Sequence, residues 1–129
     1  MILVYDTNIL IDLSRNVPET TRIIQSLQKQ YPAPAHITIV TYTEFLIGII
    51  ERRRNQQQLL DFLASFPLIN TTRITGNVMA ALTYSYARKG KILSYADLLI
   101  ASLIIENEMM LVTKDADFNH IEELKKIVV

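Results

Sequence analysis

Ile2-Leu3-Val4-Tyr5-Asp6 opens the chain with four apolar residues and closes on a carboxylate. The pattern recurs near the other end, where Met109-Met110-Leu111-Val112-Thr113 runs into Lys114-Asp115-Ala116-Asp117. Short unbroken apolar runs of this kind suit strands buried on both faces, the situation of a parallel sheet sandwiched between helices. In such sheets binding and chemistry collect beyond the carboxyl ends of the strands. Asp6, Asp115 and Asp117 stand at those ends.

Working outward from the two runs, strand and helix periods alternate. Thr7 to Leu13 suits a brief helix, and Pro18-Glu19 suits the first turn of the next, with Ile23, Ile24, Leu27 and Tyr31 on one face before Pro32 and Pro34 end it. His36 to Val40 reads as the second strand. Thr41 and Glu44 then have capping-box spacing and are expected to open a helix carrying Phe45, Leu46 and Ile49. Polar residues from Glu51 to Gln58 form a break, followed by a helix marked by Leu59, Phe62, Leu63 and Phe66. Leu68 to Thr71 is the third strand, and Thr75 to Lys89 a helix with Val78, Met79, Leu82 and Tyr86 inward, stopped at Gly90. Ser94 and Asp97 repeat the capping-box spacing ahead of a helix that is apolar on most sides from Leu98 to Ile105 and is therefore expected to be buried. Met109 to Thr113 is the fourth strand and Leu124 to Val129 a fifth, at the edge. The alternation predicts α/β architecture with a mainly parallel sheet covered on both sides.

The 129 residues suit one domain, and with half of them hydrophobic and three glycines the chain has the material for a packed core. Thirteen basic residues balance thirteen acidic ones, so no net charge draws the protein to nucleic acid or membrane, although a local patch still can. Without cysteine, disulfides and thiolate metal sites are excluded, which agrees with a reducing compartment. The N-terminus lacks a signal-peptide pattern, and the eight-residue run Leu98 to Ile105 falls far short of the roughly 20 residues needed to span a membrane. The expectation is a cytoplasmic protein.

Five acids border the most apolar segments: Asp6, Glu44, Asp97, Asp115 and Asp117. Singly, each has a structural explanation. Asp6 and Asp115 suit N-caps, an effect of about 1 kcal/mol, and Glu44 and Asp97 suit their capping boxes. Gathered at one sheet end they would repel one another, by about 4 kcal/mol per pair at 4 Å and an effective dielectric near 20. Their apolar neighbours provide no alternating lysine or arginine to neutralise them. A divalent cation such as Mg²⁺, which prefers oxygen ligands and often meets substrate phosphates, is the simplest source of the missing charge. The constellation suggests metal-dependent phosphoryl chemistry.

Four segments, in this order, resemble the PIN domain family, in particular its single-domain VapC-like toxins of toxin–antitoxin pairs. They are Val4-Tyr5-Asp6-Thr7-Asn8-Ile9-Leu10-Ile11-Asp12, Thr41-Tyr42-Thr43-Glu44-Phe45-Leu46-Ile47-Gly48, Ser94-Tyr95-Ala96-Asp97-Leu98-Leu99-Ile100-Ala101 and Leu111-Val112-Thr113-Lys114-Asp115-Ala116-Asp117-Phe118. They span nearly the whole chain. The resemblance implies one PIN-like domain over residues 1–129, a three-layer α/β/α fold around a parallel sheet of about five strands in the order 3-2-1-4-5, and an Mg²⁺- or Mn²⁺-dependent endoribonuclease. Asp6, Glu44 and Asp97 match the family's acidic site. The fourth acid falls at Asp115, with Asp117 as second choice because family members vary there. Asp6, Asp97 and Asp115 are the expected metal ligands and Glu44 the residue that orients or deprotonates water. Thr113 matches a hydroxyl that lines the site, and Thr7 and Asn8 are expected to shape the turn around Asp6. A VapB-like antitoxin and a homodimer are the implied partners, with RNA as substrate.

Other readings are weaker. A phosphatase with an aspartyl nucleophile usually wants a second acid where Asn8 stands, and a receiver domain wants paired acids after its first strand. A non-catalytic PIN-like module that binds RNA or protein has no need of the full acid set. Arg52-Arg53-Arg54 and the Arg88, Lys89 and Lys91 cluster read first as solvated helix ends and second as RNA contacts. His36, at a strand start, and His120, in a polar turn, are minor candidates. Tyr31 and Tyr86 fall on core-facing stripes, leaving Tyr95 as the tyrosine beside a proposed ligand.

Overall fold

The computed structural model describes residues 1–129. Strand β1 (Leu3–Tyr5) is followed by helices α1 (Thr7–Ser14) and α2 (Pro18–Gln30), strand β2 (Ile37–Thr38), helices α3 (Ile39–Glu51) and α4 (Gln56–Ala64), and strand β3 (Leu68–Ile69). Helices α5 (Arg73–Arg88) and α6 (Tyr95–Glu106), strand β4 (Met110–Thr113), a 3₁₀ turn (Ala116–His120) and strand β5 (Lys126–Val128) complete the chain. β4 lies between β1 and β5, β2 pairs with β3, and all pairings are parallel. His36 joins the two groups. Its N–H donates to the Leu3 carbonyl at 2.9 Å and its carbonyl accepts from Tyr5 N at 3.0 Å, a parallel bridge opposite Val4. The strand order is therefore 3-2-1-4-5, as the sequence resemblance implies, and His36 has a backbone role in it.

Alternate side chains of the central strands enter two separate cores. Val4 and Leu111 pack with Leu82, Tyr86, Leu98 and Leu103 from α5 and α6. Leu3, Tyr5 and Val112 pack with Ile9, Leu10, Ile24, Phe45 and Leu63 from α1 to α4. Two-residue periodicity in β1 and β4 thus places helices on both faces, giving three layers. Tyr86 is fully buried, and its hydroxyl is taken up by the Glu122 N–H and the Glu123 carboxylate. No helix is long and apolar enough to cross a membrane.

Two helix starts differ from expectation. β2 stops at Thr38, and α3 begins at Ile39 with Thr38 as N-cap, its hydroxyl accepting from Thr41 N at 3.3 Å. The β-branched run Ile37 to Thr41 favours a strand, but a capping hydroxyl satisfies a free helix N–H and turns the chain two residues early. Thr41 is then buried in the first turn of α3, and Glu44 does not complete a capping box. α5 likewise starts at Arg73, because Thr72 and Thr75 form the reciprocal box and both hydroxyls reach the Glu106 carboxylate at the end of α6. Gly90, at φ +73°, ends α5 in the left-handed region that favours glycine.

Candidate active site

Asp6 follows β1 and caps α1. It is 8% exposed. One carboxylate oxygen accepts from Thr7 N at 2.8 Å; the other accepts from the Thr113 hydroxyl at 2.6 Å and from Asn8 Nδ2 at 3.4 Å. Capping and site placement coincide here: three neutral donors fix the group and leave its charge in place. Thr113 is fully buried at the end of β4, and its oxygen also accepts from Asp115 N at 3.0 Å, so one hydroxyl ties Asp6 to the Asp115 backbone. Asn8 Oδ1 accepts from Lys114 N at 3.1 Å, clamping the chain after β4 against α1.

Thr7 organises the other side. Its hydroxyl lies 3.0 Å from Glu44 Oε1 and 3.1 Å from the Thr41 hydroxyl. A hydroxyl has one proton and a carboxylate only accepts. Thr41 therefore donates to Thr7, and Thr7 donates to Glu44. The early start of α3 is what brings Thr41 and Glu44, one turn apart, to this chain of bonds. Asp97 sits in the first turn of α6, where Ser94 Oγ accepts its N–H at 3.1 Å; only this half of the capping box forms.

Asp6, Glu44, Asp97 and Asp115 together line one pocket of about 320 Å³ beyond the carboxyl ends of β1 and β4, with Thr7, Asn8 and Phe118 in its walls. Asp117 is not part of it. Its N–H caps back to Asp115 Oδ1 at 2.9 Å, and its side chain lines the adjoining cleft. Burial raises the Asp97 pKa first, Ser94 opposes that, and repulsion by Asp115, Asp6 and Asp117 raises it further. The acids therefore feel one another.

No lysine or arginine lines this pocket. Lys114 directly precedes Asp115 and is a nearby cation in sequence. Its ammonium turns away to Asp12, in the last turn of α1, at 2.8 Å, in the ion pair of the fold. Thr20 Oγ1 adds a bond to the same Asp12 oxygen at 2.6 Å. No three carboxylates are grouped tightly enough to form a closed metal cage from side chains alone. The donor set is nevertheless oxygen-only and lies in an open pocket. That fits Mg²⁺ or Mn²⁺, ions of a kind that keeps several waters and binds through one or two carboxylates, better than it fits a cation needing an all-protein cage.

The basic clusters divide. Arg52, with Arg15, lines a narrow cleft of about 90 Å³ that shares Glu44 with the acidic pocket, whereas Lys91 and His120 line the cleft that shares Asp97. Arg88 bonds the Tyr84 hydroxyl and Lys89 lies over the Tyr86 ring, both away from the acids. Tyr95 is largely exposed and faces a separate apolar groove between α5 and the loop before α6.

Fold and pocket together define a three-layer α/β domain with an acidic pocket at the carboxyl ends of a parallel sheet. The PIN domain family model matches residues 3–124, and the chain belongs to that family. Its structure is similar to VapBC2 from Rickettsia felis bound to a DNA fragment from their promoter, with 26% identity, a TM-score of 0.83, and 99% of this chain and 98% of that one covered. Two further structures speak to the fold alone. VapBC-1 from nontypeable Haemophilus influenzae has 21% identity and a TM-score of 0.82, and DNA-bound VapBC from Salmonella typhimurium has 20% and 0.81, each covering 99% of this chain and 98% of its own. Comparison with curated protein sequences gives no match.

Proposed function

We propose that the protein is a divalent-metal-dependent endoribonuclease, the VapC-like toxin of a VapBC-type pair, acting as one PIN domain over residues 1–129. The observation that carries this reading is a pocket of four acids whose neighbouring lysine is engaged elsewhere. A structural cluster of acids would be stabilised by such a lysine; a cluster that receives a metal and a phosphodiester has use for the uncompensated charge.

Asp6, Asp97 and Asp115 would hold Mg²⁺ or Mn²⁺, directly or through water. When bound, the ion supplies Lewis-acid stabilisation of charge developing on the phosphate and on the leaving 3′ oxygen. Thr113 and Asn8 keep the Asp6 carboxylate in one orientation, so little reorganisation is needed when substrate arrives. Thr7 occupies Glu44 Oε1, which leaves Oε2 to accept the proton of an attacking water. Attack of that water at phosphorus breaks the P–O bond to the 3′ oxygen, which leaves with a proton from solvent.

The structural relatives are VapBC complexes, and on that basis a VapB-like antitoxin is the proposed protein partner, with a homodimer as the proposed assembly and the cytoplasm as the compartment. Incubating RNA with the wild type and with Asp6→Asn, then sequencing the new ends, tests the assignment. The wild type should cut in Mg²⁺ or Mn²⁺, and Asp6→Asn should lose about 100-fold or more of that activity while melting as a folded protein. Equal cleavage by both would remove Asp6 from the mechanism. No cleavage by either, with RNA still bound, would leave a non-catalytic module.

A further inference from the structure

The acidic pocket is flanked on its Asp97 side by a cleft of about 480 Å³ between the loop before α6 and the 3₁₀ turn. Asp97 and Phe118 belong to the linings of both cavities, so the two adjoin. Ile92, Leu93 and Ile121 provide an apolar wall, and Ile92 is 96% exposed. Lys91 and His120 are exposed residues of the same lining, each capable of donating to a phosphate oxygen. Neither side chain has a bonding partner within the protein. The Lys91 backbone is anchored, its N–H donating to the Tyr86 carbonyl at 2.9 Å beside Gly90, which fixes where the side chain emerges.

Size decides between the two flanks. Pockets that enclose small ligands run from roughly 300 to 1,000 Å³. The Asp97 side, at about 480 Å³, has room for a nucleotide, whereas the cleft with Arg15 and Arg52, at about 90 Å³, does not. Single-stranded nucleic acid is held by pairing its phosphates with cations while its bases lie on apolar or aromatic surface. This cleft offers that combination next to the carboxylates. Asp117 adds an acceptor for the amino group of a base.

Resting on the endoribonuclease reading, we infer that this cleft binds the nucleotide flanking the scissile phosphate of single-stranded RNA, with Lys91 and His120 as phosphate contacts and Ile92 against the base or ribose. The sequence places Lys91 in a basic cluster with Arg88 and Lys89, but the structure separates it from them, since their side chains engage Tyr84 and Tyr86.

The test uses a labelled single-stranded RNA that the wild type cleaves, with Lys91→Gln, His120→Gln and, as control, Lys89→Gln. Binding is measured across a salt series in the Asp6→Asn background, so that substrate persists, and cleavage in the wild-type background. Lys91→Gln should weaken binding by about fivefold and reduce the salt slope by about 0.7, the value for one lost single-strand phosphate contact. KM should rise by a similar factor with kcat nearly unchanged, the mark of binding shared by ground and transition states. His120→Gln should act in the same direction, and Lys89→Gln should change neither quantity. Unchanged affinity and slope in Lys91→Gln and His120→Gln, in a protein that still cleaves, would overturn the inference and leave the nuclease reading standing. An equal loss in Lys89→Gln would also overturn it, because the effect would then be general charge. A wild type that neither binds nor cleaves RNA would remove the reading and the inference together.

Discussion

Two aspartates on one helix have opposite surroundings. Asp12, in the last turn of α1, receives the Lys114 ammonium and the Thr20 hydroxyl, and these bonds hold its carboxyl below the usual aspartate range, the Lys114 bond first. Asp6, at the other end of α1, is held by neutral donors alone, and Asp97 across the pocket is shifted the other way, by burial and by the neighbouring acids. Lys114 adjoins the acids in sequence yet pairs outside their pocket. The difference separates a carboxylate that fastens the structure from carboxylates that leave their charge for something else to neutralise.

Thr113→Val should disturb the acidic region most. The substitution keeps the shape at a fully buried position but removes the donor to Asp6 and the acceptor of Asp115 N. Leaving such groups unsatisfied costs about 1–3 kcal/mol, and denaturant unfolding should show that loss together with reduced RNA cleavage. A stable, fully active Thr113→Val would mean that the clamp contributes to neither.

On the paired side the effect is smaller. Asp12→Asn removes an ion pair whose lysine is about half exposed, so the loss should be about 0.5–1 kcal/mol, or roughly 3 °C in melting midpoint at pH 7. Because the folded-state pKa of Asp12 is lowered, its contribution is present above the ordinary aspartate value and disappears as pH falls through that lowered value. Melting curves of the two proteins should therefore converge in acid. A deficit that persists there would assign the loss to packing.

Asp97→Asn should have the smallest effect and the opposite sign. A raised carboxylate pKa means that the folded state favours the proton, so the contribution of Asp97 is fully favourable below the ordinary aspartate value and is lost as pH rises through the raised one. At pH 7 without metal, removing that charge should raise the melting midpoint by about 1–2 °C, since a partly exposed repulsion is screened by solvent. The gain should shrink on acidification as wild-type Asp97 takes up its own proton.

Much of this contrast is absent from the one-dimensional pattern. A parallel sheet with a two-sided core follows from apolar runs and their alternation, and the strand order 3-2-1-4-5 follows from the family resemblance. Asp6, Glu44, Asp97, Asp115 and Asp117 stand out because acids beside such runs need explaining. The start of α3 is harder to read: the run Ile37-Thr38-Ile39-Val40-Thr41 favours a strand at every position, and a single hydroxyl bond from Thr38 reverses the choice. That shift carries Thr41 to Thr7 and so to Glu44. The Lys114–Asp12 pair spans 102 positions, and no local period encodes it. The Lys91–His120 cleft likewise exists only once the loop before α6 meets the 3₁₀ turn.

We propose that the acidic pocket's uncompensated charge makes it a divalent-cation site. Its most direct test is the melting midpoint of the wild type and of Asp97→Asn as Mn²⁺ is titrated at neutral pH. A ligand at a hundredfold excess over its Kd stabilises a fold by about 2.7 kcal/mol. The wild-type midpoint should climb by several degrees with millimolar Mn²⁺, and Asp97→Asn, though slightly more stable without metal, should respond much less. A wild type indifferent to Mn²⁺, or an Asp97→Asn protein that responds equally, would contradict the account.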